Sequence, residues 1–397
     1  MNDSIEHLSQ IAIKDKKLII GLMSGTSLDG LDIALCEIKG SGGETKFDLR
    51  NFQTLSYPEK IVESLREIVS IDRVSLQKVC LLNSWLADYH AQLILEVLRD
   101  WNIDPRYVDC IASHGQTVYH APIRYHQQKD KPNTTLQIVD GDHIARKTGI
   151  LTISDFRQKH TAAGGEGAPM VALTDEMLFS DDSESRVLLN IGGIANFTYL
   201  PAGKKNKRVF TTDVGPGNTL IDNAVQALFG KPYDEDGAIA KRGSVHPQLL
   251  KSMLEEPFFS KPLPRTTGPE LFNMRWVHER QEEAGIEDIS DEKLIATLTW
   301  LTAQSIVDAI SEACGDDQPK IYLSGGGMHN KTLVQWIEKL ADQPTASFAE
   351  IGFNPDAKEA ASFAILANET LSGEAFEINP QHNAGRRVNF GKICLPV

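Results

Sequence analysis

Residues 17–38 read KLIIGLMSGTSLDGLDIALCEI: two apolar runs of β type flank a loop made almost wholly of glycine, hydroxyl residues and one aspartate. The pattern reads as strand, phosphate-cradling turn, strand. Gly21, Gly25 and Gly30 are expected to let the backbone bend and approach a ligand closely, and successive N–H groups in such a turn form an anion-binding nest. Ser24, Thr26 and Ser27 add hydroxyl donors. Asp29 puts an acid where phosphates would sit, which makes sense if a divalent cation lies between carboxylate and polyphosphate. Magnesium is the hard-cation candidate. Alone, the loop could equally be a glycine-rich hairpin; the rest of the chain decides.

At 397 residues and 41% hydrophobic content the chain can bury large cores. Single cores seldom grow beyond about 250–300 residues, so two domains are expected. A net charge of -14 argues against a nucleic-acid binder or a binder of acidic membranes, which would need a basic stripe. The compact basic run Lys204, Lys205, Lys207 and Arg208 reads as a solvated hairpin tip. Cys36, Cys80, Cys110, Cys314 and Cys394 are odd in number, scattered and without C-x-x-C spacing. Neither a disulfide framework nor a zinc site follows, and a reducing, cytoplasmic compartment is expected. The apolar run 18–23 is too short and glycine-broken for a signal peptide or a membrane span.

Beyond the opening hairpin, the turn GSGGE (40–44) leads to a third β-type run over 46–55, completing a meander, and helical spacing follows from Pro58. A short strand over 108–112 is expected to end in Ser113, His114, Gly115, Gln116 and Thr117, polar groups at the carboxyl end of a strand, where ligands bind in α/β sheets. Residues 121–134 read as a surface excursion. A second polar cluster, Asp155, Phe156, Arg157 and AAGGEGAPM (162–170), follows the strand 150–153 in the same topological position. The acidic break at 181–184 marks the expected boundary between an N-terminal domain, 1–184, and a C-terminal domain, 185–397.

From Arg186 the pattern restarts. RVLLNIGGIANFTYL is again strand, glycine turn, strand; RVFTTDV supplies a third strand and a helix follows over 218–228. A long helix is expected over 291–314, and Gly325, Gly326 and Gly327 end a strand where a flat ligand could lie against backbone. The last helix is expected to begin at Pro355 and to carry Glu359.

Two such modules resemble the actin, sugar kinase and Hsp70 ATPase superfamily. The implied fold class is α/β, with two actin-like (ribonuclease H-like) ATPase domains and the nucleotide in a cleft between them. Within that superfamily GLMSGTSLDGLD, ASHGQTVYH, SDFR, NIGGIANF, DVGPGNTLID, YDEDGAIAKRG, PLPRTTGPELF, YLSGGG and KEAASFA are similar, in order, to the motif series of anhydro-N-acetylmuramic acid kinases. That resemblance implies ATP and Mg2+ as cofactors and a small anhydrosugar as substrate. The 1,6-anhydro ring would be opened by water and the freed O6 phosphorylated, giving N-acetylmuramic acid 6-phosphate. No nucleic-acid or membrane partner is expected, and a homodimer is left open.

Such a reaction needs a base for water, a cation for the phosphates and an in-line path from O6 to the γ-phosphorus. The base is assigned to Asp213, with Asp155 as runner-up. Nucleotide contacts are assigned to Gly25, Thr26, Ser27, Leu28, Asp29, Gly30, Leu31 and Asp32 in the first module. In the second they are assigned to Gly192, Gly193 and Asn196, with Gly325, Gly326 and Gly327 on the adenosine side. The magnesium-side carboxylates are Asp29 and Glu359. His114, Gln116, Thr117, Asp155 and Arg157 are assigned to the sugar, Arg157 to its lactyl carboxylate. The chain departs from the family pattern at Val139, His160, Glu166 and the segment Asn383, Ala384, Gly385. Glu166 adds negative charge on the sugar side and keeps a levoglucosan-type kinase, acting on a neutral anhydrosugar, as an alternative. A non-catalytic ATP-dependent switch of the same fold is the alternative from another class.

Overall fold

The structure, a computed structural model, describes residues 2–25, 28, 30–128, 130–168, 170–204, 209–268, 270–286, 288–377 and 387–397. Thr26, Ser27 and Asp29, the basic residues Lys205, Lys207 and Arg208, and Asn383, Ala384 and Gly385 therefore lie outside the described residues. The chain divides into two compact units, Met1–Leu178 with Ala357–Val397, and Phe179–Asp356. This corrects the expected 1–184 and 185–397 division. The first break moves by a few residues, and the C-terminal segment, Glu359 included, returns to the first unit.

In unit 1 the expected meander forms from β1 (Lys16–Ser24), β2 (Gly30–Lys39) and β3 (Lys46–Ser56). β4 (Cys110–Ala121) and β6 (Thr152–Ser154) extend it in parallel on the β1 side, while β5 (Thr134–Ile138) pairs antiparallel with the far half of β4. In order along the sheet these strands run β3-β2-β1-β4-β6. Three antiparallel strands joined to parallel strands in this order are the ribonuclease H-like topology that the resemblance implies.

One face, through Ile20, Leu22, Leu31, Ile33 and Leu35, packs on the helices Glu59–Arg66, Leu76–Asp100 and Gly141–Thr148. Against the other lies the helix Lys358–Ser372. Gly21 explains how close that helix comes: a Cβ there would sit 1.8 Å from the Ala360 carbonyl oxygen. The glycine thus serves helix packing rather than ligand approach. Gly30 is similarly committed, since a Cβ would lie 2.4 Å from Leu55 O on the neighbouring strand.

The polar run Ser113–Thr117 does not follow the strand, as the sequence suggested, but lies inside it. The β1–β4 register shifts between Leu22 and Ser24, pairing Leu22 with Ser113 but Ser24 with Gln116. β4 therefore carries an extra residue, a bulge, with Gly115 at φ +80°.

In unit 2, β7 (Arg186–Ile191), β8 (Ile194–Leu200), β9 (Phe210–Pro216), β10 (Lys320–Ser324) and β11 (Thr345–Ser347) repeat the arrangement as β9-β8-β7-β10-β11. Val187, Leu189, Ile191, Phe197 and Val214 pack against the helices Asp291–Cys314 and Lys331–Ala341. The helix Asp291–Cys314 is long and apolar enough to cross a membrane by composition alone, but it is mostly buried and contributes to two hydrophobic clusters of unit 2. Near the C-terminus of unit 1, β12 (Phe376–Glu377) pairs with β13 (Arg387–Val388), and β14 (Lys392–Cys394) adds antiparallel to β6.

Candidate functional site

In unit 2 the chain turns expected to hold nucleotide meet at one end of the sheet. The Gly192–Gly193 turn between β7 and β8 accepts Gly217 N–H at Gly193 O (2.9 Å) and Asn218 N–H at Gly192 O (2.8 Å). Asn218 Nδ2 donates to Ile191 O at 3.1 Å. Gly325, at φ +81°, passes so close to β7 that a Cβ would meet Asn190 Oδ1 at 2.5 Å and Ile191 O at 2.8 Å. Gly192, Gly193, Gly325, Gly326 and Gly327 are thus drawn around Ile191 and Asn218. With no side chains in the way, their backbone N–H groups can approach phosphate or a planar base.

Asp213 lies beside this cluster. Across the strands Asn190 pairs with Asn196 and Asn196 with Asp213, so three polar side chains form a row on the face opposite the hydrophobic cluster. The β8–β9 register shifts immediately after Asp213, a bulge that re-aims the side chain next to it. Thr267 N–H donates to Asp213 Oδ2 at 3.0 Å, and Asp213 N–H donates to Arg265 O at 3.0 Å. The PLPRTTGPELF segment therefore clamps Asp213. Asn190 was not among the expected site residues; its signal was the one polar residue interrupting the apolar run VLLNI.

Unit 1 brings its own polar groups to the β4 bulge. Arg157 Nε–H donates to His114 Nε2 at 2.9 Å, so the His114 proton sits on Nδ1, which donates to Gly115 O at 2.8 Å. Burial, with Arg157 beside it, holds the His114 pKa well below its ordinary value and keeps the ring neutral. Burial also lowers the Arg157 pKa, partly opposed by Glu359. His120 and His160 are pushed down to about 4, first by burial and then by the Arg157 charge. Glu359 keeps contact with solvent, yet the protein around it removes enough hydration to raise its pKa. Lys358 and Arg157 pull it down, and Asp32 and Asp175 add to the rise.

Not every assigned residue is available to a ligand. Gln116 is wholly buried, its Oε1 accepting from Ser24 Oγ at 2.6 Å and its Nε2 donating to Gly25 O at 3.2 Å. It holds the loop rather than facing sugar. Thr117 Oγ1 accepts from Gln137 Nε2 at 3.2 Å. Asp155, the alternative base, forms an ion pair with Lys392 on β14. Leu31 and Leu28 point into the core, leaving only backbone for a nucleotide, and Asp32 accepts from Thr54 Oγ1. His160 Nδ1 accepts from Gly167 N–H at 3.0 Å, and Glu166 pairs with Arg124 at 3.3 Å.

Residues 17–395 match the family model described as anhydro-N-acetylmuramic acid kinase. The chain belongs to the anhydro-N-acetylmuramic acid kinase family. A relative of that name from Pseudoalteromonas atlantica is 45% identical over 100% of both chains. Another from Caldanaerobacter subterraneus is 40% identical over 98% of this chain and 100% of its own. Among solved structures, a xylulose kinase from Lactobacillus acidophilus is 10% identical with a TM-score of 0.46, covering 96% of this chain and 94% of its own. Membership of the anhydro-N-acetylmuramic acid kinase family rests on the sequence matches, and the strand order of each unit agrees with it.

Proposed function

We propose that the protein is an ATP-dependent kinase that opens the ring of 1,6-anhydro-N-acetylmuramic acid with water and phosphorylates O6, giving N-acetylmuramic acid 6-phosphate. The observation that carries this reading is full-length identity of 45% to a relative bearing that kinase name. Asp213 is the proposed base. It takes a proton from water as the water oxygen bonds to the anomeric carbon, the C1–O6 bond breaks, and O6 attacks the γ-phosphorus with ADP leaving. The Thr267 N–H leaves Asp213 oriented by a donor that cannot rotate away, which suits a carboxylate aimed at one water.

The glycine turns of unit 2 and the loop from Gly25 are the proposed phosphate and adenosine contacts, with Asn190 added to Asn196. For the sugar we assign Arg157 and His114. A guanidinium oriented through Nε by a neutral histidine keeps its outer N–H edge directed for a carboxylate. Glu166 does not argue against an anionic sugar, because its charge is shared with Arg124.

Magnesium fits the acids of unit 1 through water rather than directly. Burial raises the Glu359 pKa, with Asp32 and Asp175 adding to the rise against the opposing charges of Lys358 and Arg157, and a nearby cation would favour the ionised carboxylate. Among the described residues no group of three or more His, Cys, Asp or Glu side chains forms a direct cage. A cation that dehydrates reluctantly is accordingly assigned to Glu359 through bound water, with Asp29 as its partner. The ion would draw charge from the β- and γ-phosphates.

The test is an assay with ATP and two sugars, 1,6-anhydro-N-acetylmuramic acid and levoglucosan, in water enriched in oxygen-18. Phosphorylation of the first with heavy oxygen at C1 is expected. Turnover of levoglucosan alone, or product without heavy oxygen at C1, would refute the assignment.

A further inference from the structure

Behind the glycine loop of unit 1 lies a line of polar side chains that the chemistry above does not use. His90, from the middle of the helix Leu76–Asp100, is 1% exposed; Tyr57, just after β3, is 7% exposed; Ser24 ends β1, and Gln116 follows the β4 bulge. They are joined end to end. His90 Nε2 lies 2.7 Å from Tyr57 Oη, Tyr57 Oη 2.8 Å from Ser24 Oγ, and Ser24 Oγ 2.6 Å from Gln116 Oε1. Gln116 Nε2 then reaches Gly25 O at 3.2 Å and Thr117 O at 3.4 Å.

Donor and acceptor chemistry gives this line one direction. The Gln116 nitrogen must face the two carbonyls, because carbonyls only accept, so its oxygen must accept from Ser24. Ser24 has one hydrogen and spends it there, which requires Tyr57 to donate to Ser24. Tyr57 likewise has one hydrogen, so His90 must donate from Nε2. The His90 Nδ1 then carries a lone pair, and it is buried without a hydrogen-bond partner. Each hydrogen points toward Gly25, the residue at which the loop leaves β1. Bonds aligned this way polarise one another and resist rearrangement.

A cheaper way to bury this region exists: leucine or phenylalanine at these positions would avoid desolvating four polar side chains. Tyr57 and His90 come from separate elements, the end of β3 and the helix Leu76–Asp100. Their rings stack at 5.9 Å with planes 14° apart, so neither can turn without breaking both the stack and the relay. We infer that Tyr57 and His90 are positioning residues for the nucleotide loop, acting through Ser24 and Gln116 to set the Gly25 carbonyl at which that loop leaves β1. The inference rests on the proposed assignment of that loop to the nucleotide phosphates.

The test uses the full-length protein and the variants Tyr57→Phe, His90→Leu and His90→Gln. Phenylalanine keeps the stacked ring and removes only the hydroxyl, and glutamine restores a side-chain N–H donor that leucine lacks. ADP affinity is measured by calorimetry, which needs no turnover, and KM is measured separately for ATP and for the anhydrosugar. Tyr57→Phe and His90→Leu are expected to weaken ADP and raise KM for ATP about tenfold while KM for the sugar stays within about twofold, and His90→Gln is expected to recover most of the loss. A lowered melting temperature with unchanged ADP affinity and unchanged KM for ATP would reduce the relay to a structural role and overturn the inference. Wild-type protein that binds ADP but phosphorylates no anhydrosugar would instead refute the kinase reading, while the ADP affinities of the variants would still decide the relay.

Discussion

Asp213 is the residue on which turnover is expected to depend most. Asp213→Asn keeps the shape and the Thr267 N–H contact but loses the base, so turnover should fall about 100- to 10,000-fold with ATP binding near wild type. Near-normal turnover would remove Asp213 from the mechanism and return attention to Asp155, whose bond to Lys392 would then have to open. The histidines of unit 1 set a pH dependence of defined sign. His90 is held down to about 3, and His120 and His160 to about 4, in each case chiefly by burial, against 6.5 as the ordinary value. Below pH 6.5 the unfolded chain takes up protons that the folded chain refuses. Stability from these groups is therefore full above about pH 6.5 and lost as pH falls toward 4. Asp222 in unit 2 is shifted the other way, from 3.8 up to about 6, by burial and then by Asp234. Unit 2 should gain from it as pH falls through that window. Melting followed by probes in each unit between pH 7 and 4 checks both signs, and parallel shifts in the two units would contradict them.

At the scale of elements, the bulge in β4 is what places the proposed sugar and loop contacts of unit 1. Without the extra residue, period-two alternation would carry through from Ser113 and Gln116 would not meet Ser24. Gly115 makes the bulge possible: at φ +80° a Cβ would be strained, and it would also lie 2.3 Å from Ile138 O. Gly115→Ala is expected to cost at least about 1 kcal/mol of stability. It should also weaken both sugar and nucleotide, because His114 and Gln116 flank the same bulge. Denaturant unfolding together with the two KM values reads this out; loss of stability with both KM values intact would detach the bulge from binding. Gly21→Ala tests a different contact. Its Cβ would meet the backbone of the helix Lys358–Ser372, which cannot step aside as a side chain can, and a loss of soluble protein or a large drop in melting temperature is expected.

For the molecule as a whole, unit 2 is continuous in sequence and unit 1 is not. Residues Phe179–Asp356 should fold alone with a cooperative melt. A chain ending at Asp356 should fail, because unit 1 would lose both the helix that covers one face of its sheet and β14 at its edge. Glu369 shows how far that helix is built into unit 1. It is buried, and it accepts Gly42 N–H at 2.8 Å and Thr45 Oγ1–H at 3.1 Å at the tip between β2 and β3. Expression of the two fragments, followed by circular dichroism and thermal melting, decides the matter. A folded 1–356 fragment would mean that the C-terminal segment is an appendage.

Local pattern in the sequence was enough for the two strand–turn–strand modules, the helix Asp291–Cys314, the glycine turns at Gly192 and Gly325, and Asp213 near the end of the third strand of its module. Each of these depends on periodicity and turn chemistry within a few neighbouring residues. The return of Ala357–Val397 to unit 1, the continuation of β4 through its bulge and the burial of Gln116 were decided only by tertiary structure. β14 is a three-residue strand whose pairing with β6 joins segments far apart in the chain, and nothing in KIC marks its partner. Gln116 looked like a sugar ligand because the sequence shows that it is polar and close to a strand end. Whether such a group meets water, a ligand or another side chain depends on what packs over it, and Ser24, Tyr57 and His90 arrive there from three separate elements.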